Sequence, residues 1–224
     1  MSKYVVASSC DWFKRHPKSK EFSSLNIIEI SKKNDLNLGY LELINPRYIF
    51  FPHWNWKVKP EIYERFECIA FHTAPLPFGR GGSPIQNLIT RGIKKSPVCA
   101  FRMTDIMDGG PIYKSLEVSL HGNISEIFKR IASCIDKIII QICRDNPHPI
   151  EQSGEVVIFE RLSSSDNEIL SSYSIQGIYD RIRMVDGEGY PKAYINFGGY
   201  KIELTSATLC GDEIQANIRV FYDD

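Results

Sequence analysis

Two residues in this chain are best suited to acid–base chemistry: a histidine and an aspartate, each in a stiff loop after an apolar run. His72 leads FHTAPLPFGRGGSP, residues 71–84. There Pro75, Pro77 and Pro84 restrict the backbone, and Gly79, Gly81 and Gly82 allow another group to approach closely. Asp108 lies in FRMTDIMDGGPIY, residues 101–113, with Asp105, two glycines and Pro111. A carboxylate beside an imidazole holds its tautomer and favours its protonated form. Such a pair can take a proton from one reacting atom and deliver it to another. Residue type alone also allows a plainer reading of each loop, a rigid connection with an exposed His and a tight turn held by its Asp.

Something must bring the two loops together. Short apolar runs, YVVA (4–7), LNIIEI (25–30), RYIFFP (47–52), ECIAF (67–71) and PVCAFRM (97–103), read as buried strands. Between them NDLNLGYLELI and PEIYERF read as helices, the latter with Pro60 at its start. Strands alternating with helices predict an α/β, Rossmann-like, mostly parallel sheet, with ligands beyond the carboxyl ends of its strands. His72 then emerges at that edge, and strand adjacency in the parallel sheet brings Asp108 towards it. Ser83 and Pro84 predict a capped helix, IQNLITRG, ended by Gly92; its free N–H groups and Arg80 would favour an anion.

The clearest helix is NISEIFKRIASCIDKIIIQICRD (123–145), with Asn123 as cap and isoleucines recurring at three and four. After residue 150 the texture changes. EVVIFER predicts a strand and SIQGIYDRIRMVD a short helix. KAYINF, YKIELTS and EIQANIRVFY predict an antiparallel tail, with Gly198–Gly199 as a hairpin turn. The expected organisation is a catalytic domain over 1–150 and a small β-rich C-terminal subdomain over 151–224.

Composition narrows the function. The 224 residues carry 27 basic and 27 acidic side chains, so the polybasic footprint of a nucleic-acid binder is missing. No apolar run is long enough to span a bilayer, and the N-terminal one is too short for a signal peptide, which predicts a cytoplasmic protein. Six dispersed cysteines read as small buried hydrophobes, and with five dispersed histidines they give no metal-ligand spacing. No GxSxG elbow marks a serine hydrolase.

At its two loops the sequence resembles the formyltransferases that use N10-formyltetrahydrofolate. The sugar enzymes of that group carry HxSLLPKxxG. Here HTAPLPFGRG keeps His72, Leu76, Pro77 and Gly81, with Ala74, Pro75 and Phe78 replacing Ser, Leu and Lys. TDIMDGGPI resembles the family's DGGP loop, and SPIQNLITRG its APIQ-type helix. The resemblance implies that Asp108 is the catalytic aspartate beside His72. It puts the pterin clasp at Asn55, Trp56, Lys57 and Val58, with Thr104, Asp105 and Ile106 as the second wall. Thr73, Arg80, Gly81, Gly82 and Ser83 would bound the acceptor. His72 would donate to the oxyanion formed from the formyl oxygen, while Asp108 orients His72 and relays protons, with no metal required. The region before residue 60 is short for the family.

One departure bears on the chemistry. The family has an Asn two residues before the His, as a donor to that oxyanion; here the position is Ala70. Losing such a donor typically costs about 10²–10³ in rate. Asn55, Thr73 and His53 are the candidates to replace it. The stretch IYDRIRMVDGEGYPKAYINFGGYKIEL (178–204) resembles the tail of the sugar enzymes, those of the pseudaminic acid pathway above all. This implies a UDP-linked 4-amino-4,6-dideoxy sugar as acceptor, UDP before dTDP, in surface-glycan biosynthesis, and a homodimer through the C-terminal region. The alternative is a homologue that binds folate and nucleotide sugar without turnover. Methionyl-tRNA formyltransferase is disfavoured by the chain's neutrality and by its short C-terminal part.

Overall fold

The computed structural model describes residues 2–222. In chain order the first half contains β1 (Tyr4–Ser8), α1 (Asp11–Lys14), α2 (Lys20–Ser23), β2 (Ile27–Ile30), α3 (Leu38–Ile44), β3 (Tyr48–His53), α4 (Pro60–Tyr63), β4 (Cys68–His72), β5 (Phe78–Gly81) and α5 (Pro84–Thr90). The second half contains β6 (Lys95–Arg102), β7 (Ile112–Ser119), α6 (Ile124–Asp145), β8 (Val157–Phe159), α7 (Ile175–Arg183), β9 (Ala193–Phe197), β10 (Tyr200–Cys210) and β11 (Glu213–Tyr222).

Six strands form the central sheet in the order β2-β1-β3-β4-β6-β7. The pairs β1–β2, β1–β3 and β3–β4 are parallel, whereas β4–β6 and β6–β7 are antiparallel. The expected parallel arrangement therefore holds for β1 to β4 and reverses at β6. Antiparallel neighbours need only a tight connection, which lets β6 and β7 form a hairpin around the 103–111 loop. The helices before β4 are shorter than their sequence patterns predict. Asn37 caps α3, accepting from Tyr40 N, so the helix starts four residues into the predicted stretch, and α4 covers a single turn. The region between β1 and β2 holds only two four-residue helices.

Helix α6 carries the main core. Ile124, Ile127, Ile131, Ile135, Ile138, Ile139 and Ile142 are buried against the sheet, and Asn123 and Glu126 close a reciprocal capping box. One buried position on α6 is charged. Asp136 accepts from Lys18 Nζ at 3.3 Å and lies 3.8 Å from His16 Nε2. Burial raises the pKa of Asp136 and lowers those of Lys18 and His16. This cluster pins the α1–α2 connection, and Lys18 also donates to Phe13 O at 2.9 Å. Asp136→Ala leaves a desolvated ammonium without its partner and is expected to cost about 3 kcal/mol. A denaturant midpoint unchanged from wild type would show that Lys18 simply swings into water.

The chain does not leave the main body at residue 150. Ile150 pairs with Ile112, and β8 runs parallel to β5. The change of texture at that point thus marks an excursion across the catalytic edge, and the antiparallel subdomain comes later. It has the expected strands, in the order β11-β10-β9, with Gly198 and Gly199 both at positive φ in the hairpin turn. Of the cysteines, Cys68 and Cys99 are buried; burial pushes their thiols up to about 12 and about 11. The other four are not buried, and Cys210 on β10 is exposed, so the uniform expectation of buried cysteines fails for them. Among the described residues no helix is long and apolar enough to cross a membrane, and no three His, Cys, Asp or Glu side chains converge.

Candidate active site

His72 is the last residue of β4, one position beyond the predicted strand end, and is 8% exposed. Its Nε2 lies 2.7 Å from the Gly79 carbonyl oxygen, which can only accept. Nε2 therefore carries the proton, and in the neutral ring Nδ1 is the free base. Asp108 Oδ2 lies 3.5 Å from that Nδ1. A proton placed on Nδ1 turns this approach into an ion pair. The same Oδ2 accepts from the Gly81 backbone N–H at 2.9 Å.

The two loops thus meet, although by a different route from the one the sequence implied. Strand β6 runs against β4, pairing Cys99 with His72 and Arg102 with Ile69. The 103–111 loop must therefore fold back along the sheet edge to present Asp108. Asp108 sits at φ 50°, a left-handed conformation that Asp and Asn tolerate better than most residues.

The remaining expected site residues divide into three groups. On the proposed acceptor side, most polar groups are already taken by the protein. The Arg80 guanidinium is held by Gln152. Gly82 N donates to Phe159 O, and Ser83 Oγ accepts from Leu162 N. Ser83 has φ 45° and makes no side-chain cap, so the predicted capped, anion-binding helix start is not built. The close approach permitted by the glycines is made by the chain itself. A Cβ on Gly79 would meet Phe159 at 2.7 Å, one on Gly81 the Phe159 carbonyl oxygen at 2.6 Å, and one on Gly82 Arg161 Cα at 2.5 Å. Thr73 is buried. At Gly81, Gly82 and Ser83, expected to bound the acceptor, the nearest groups are thus the protein's own.

On the expected pterin side, Asn55 N donates to Ser9 Oγ at 3.1 Å, joining the loops after β1 and β3. Trp56 packs edge-on against Trp54, Lys57 is exposed and Val58 is buried in the core beneath α4. Across the site Thr104 Oγ1 accepts from Ile106 N, while Asp105 is exposed. Ile106 and Met107 are 58% and 73% exposed beside Asp108. This apolar lip was not singled out as such in the sequence.

The third group concerns the missing Asn. Ala70 shares the His72 face of β4 and packs with Leu76, Cys99 and Phe101. The His53 ring is edge-on to Trp12 at 5.9 Å, and the Asn55 backbone N–H bonds Ser9 Oγ; neither residue belongs to that apolar cluster. The N–H expected to serve an oxyanion, Nε2–H of His72, is spent on Gly79. Sequence reasoning also missed Gln152 and Phe159. Both lie far downstream of the loops they contact, and no local pattern at either position signals the pairing.

Comparison with known proteins agrees with this architecture. A sequence model of the methionyl-tRNA formyltransferase C-terminal domain matches residues 164–221. Methionyl-tRNA formyltransferase from Campylobacter jejuni is 27% identical over 167 residues, 73% of this chain and 55% of that protein. The chain therefore spans about half the length of this curated relative. A 4-N formyltransferase from Francisella tularensis superposes with a TM-score of 0.66 at 17% identity, covering 91% of this chain and 96% of that one, a likeness of fold. Methionyl-tRNA formyltransferase from Clostridium thermocellum superposes with a TM-score of 0.92 at 37% identity, covering 99% of this chain and 100% of that one. On that identity, over nearly the whole of both chains, the chain belongs to the formyltransferase family.

Proposed function

We propose that this chain is a cytoplasmic N-formyltransferase that takes the formyl group of N10-formyltetrahydrofolate and places it on a primary amine. The acceptor is the 4-amino group of a UDP-linked 4-amino-4,6-dideoxy sugar, as in the pseudaminic acid pathway. The observation that carries this reading is the 3.5 Å approach of Asp108 to His72 Nδ1 within two loops of formyltransferase type. Co-substrate fit is supported by the Ile106–Met107 lip beside Asp108, an apolar surface that a planar ring would cover. Asn55, Trp56, Lys57, Val58, Thr104, Asp105 and Ile106 would hold it.

N10-formyltetrahydrofolate supplies an acyl carbon on a nitrogen that leaves once protonated. The C–N10 bond breaks, a C–N bond to the acceptor amine forms, and the proton lost by the amine ends on N10. His72 Nδ1 is the base that receives this proton. Asp108 stabilises it there, and Gly79 fixes the ring so that only Nδ1 exchanges. The exposed apolar side chains of the terminal sheet, Phe197, Tyr200, Ile218, Val220 and Tyr222, support a homodimer through that region.

Two other readings rest on specific observations. The 37% relative bears a methionyl-tRNA formyltransferase name, which favours initiator tRNA as acceptor. Against it stands the zero formal charge. The apolar surroundings of Ala70 favour a binding homologue without turnover. A single-turnover assay with the formyl donor separates the three. Gain of one formyl group on a UDP-linked 4-amino sugar is the expected result. Gain on aminoacylated initiator tRNA alone moves the acceptor, and donor binding with no transfer to either removes the enzymatic reading.

A further inference from the structure

A side chain from outside both loops ties them together. Gln152 follows α6 and is carried over the mouth of the β6–β7 hairpin by the Ile112–Ile150 bridge, whose two N–H···O bonds measure 2.7 and 2.9 Å. Its Nε2 donates to the Asp108 carbonyl at 2.8 Å and to the Gly110 carbonyl at 2.8 Å. Its Oε1 accepts from Arg80 Nη2 at 2.6 Å and from Arg80 Nε at 3.1 Å. Both amide protons and the carbonyl oxygen are thus used. The amide cannot be turned over, because its oxygen must face a guanidinium and its nitrogen two carbonyls.

The connections form a closed chain. Asp108 is held at its carbonyl by Gln152 and at its carboxylate by Gly81 N–H. Gly81 adjoins Arg80, which Gln152 holds from the other end. Gly110 has no room to yield, since a Cβ there would fall 1.8 Å from Arg102 O. The peptide planes after Asp108 and after Gly110 are therefore each held at their carbonyl, and with them the origin of the side chain that reaches His72 Nδ1. Asp108 adopts a left-handed backbone at the third position of the turn closed by Gly109 N–H on Ile106 O at 3.1 Å, and Gln152 holds that turn's carbonyl from outside it.

We propose that Gln152 is the positioning residue of this site. It touches no reacting atom, and it sets the distance between the Asp108 carboxylate and His72. The inference rests on the formyl-transfer reading for its kinetic consequence and on geometry alone for its structural one. Gln152→Glu is the discriminating substitution. The side chain keeps its size and its Arg80 partner but turns an oxygen towards the carbonyls of Asp108 and Gly110, where no proton remains to bridge them. Gln152→Leu removes both ends while preserving bulk.

The test has two arms. In steady-state formyl transfer, both variants should lose about 10–10²-fold in kcat, the scale of an ångström-level misplacement, with the KM for the formyl donor within about threefold of wild type. Equal loss through KM, or kcat within twofold, overturns the proposal. The second arm needs no turnover. The ¹⁵N imidazole signals of His72 in the unliganded protein should change in Gln152→Glu as they do in Asp108→Asn. Unchanged His72 signals in Gln152→Glu overturn the positioning role, even if wild-type protein transfers formyl. Altered signals in a protein that transfers to no acceptor would refute the enzymatic reading and leave the clamp standing.

Discussion

His72→Asn is expected to reduce single-turnover formyl transfer by about 10³-fold while leaving donor binding within a few-fold of wild type. At the meeting of the two loops the imidazole offers a ring nitrogen able to accept the amine proton. Its Nε2–H is committed to the Gly79 carbonyl, so exchange is confined to Nδ1. An asparagine amide falls short of the Gly79 carbonyl and places its nitrogen where Nδ1 stood, where it can donate to Asp108 but cannot accept the amine proton. The residues proposed to hold the donor, Asn55 to Val58 and Thr104 to Ile106, lie on other loops. The variant should therefore fold and bind folate but turn over poorly. Equilibrium binding measured beside the single-turnover rate checks both halves. A rate near wild type would mean that the acceptor amine loses its proton elsewhere.

Loss of the carboxylate should be nearly as damaging. Asp108→Asn keeps an acceptor for Gly81 N–H and suits the left-handed backbone, but it removes the charge beside Nδ1. A decrease of about 10²–10³-fold in kcat is expected, with little change in thermal stability. Asp108→Ala should lose as much activity and in addition leave Gly81 N–H unpaired, at a cost of about 1–3 kcal/mol. Comparing the two separates chemistry from scaffolding. If Asp108→Asn retains its rate and only Asp108→Ala loses it, the aspartate merely holds the loop.

His72 and Asp108 were legible in the sequence because each stands in a loop dense in proline or glycine, a local signal. Their meeting was anticipated from strand adjacency, and β4 and β6 are indeed neighbours. Their antiparallel pairing was not legible, since PVCAFRM has the same apolar run in either direction. Helix α6 could be read to its cap because one face repeats over six turns. Helices α3 and α4 were overextended because short periodic stretches do not reveal which Asn caps them or where a turn is abandoned. What fills the space beside the glycines was not legible for a different reason. Glycines at 79, 81 and 82 advertise a close approach, but not by what, and the partner is the chain's own Phe159–Arg161 stretch. Gln152 is a single polar residue between Glu151 and Ser153, and only the folded chain shows that it spans Arg80, Asp108 and Gly110.

Ala70 gives the departure from the family motif a physical consequence. With Leu76, Cys99 and Phe101 around it, the position offers no polar group to the formyl oxygen. The proton-handling pair is then the main catalytic resource left on this face, and the weight of the account rests on it.

The most direct measurement is a crystal structure of the protein with a stable formyl-folate analogue and UDP. The account predicts the pterin against the Asn55–Val58 turn and the Ile106–Met107 lip, with N10 within about 3–4 Å of His72 Nδ1 or Asp108, directly or through one water. A folate ring bound elsewhere, or one whose N10 points away from both side chains, would contradict it.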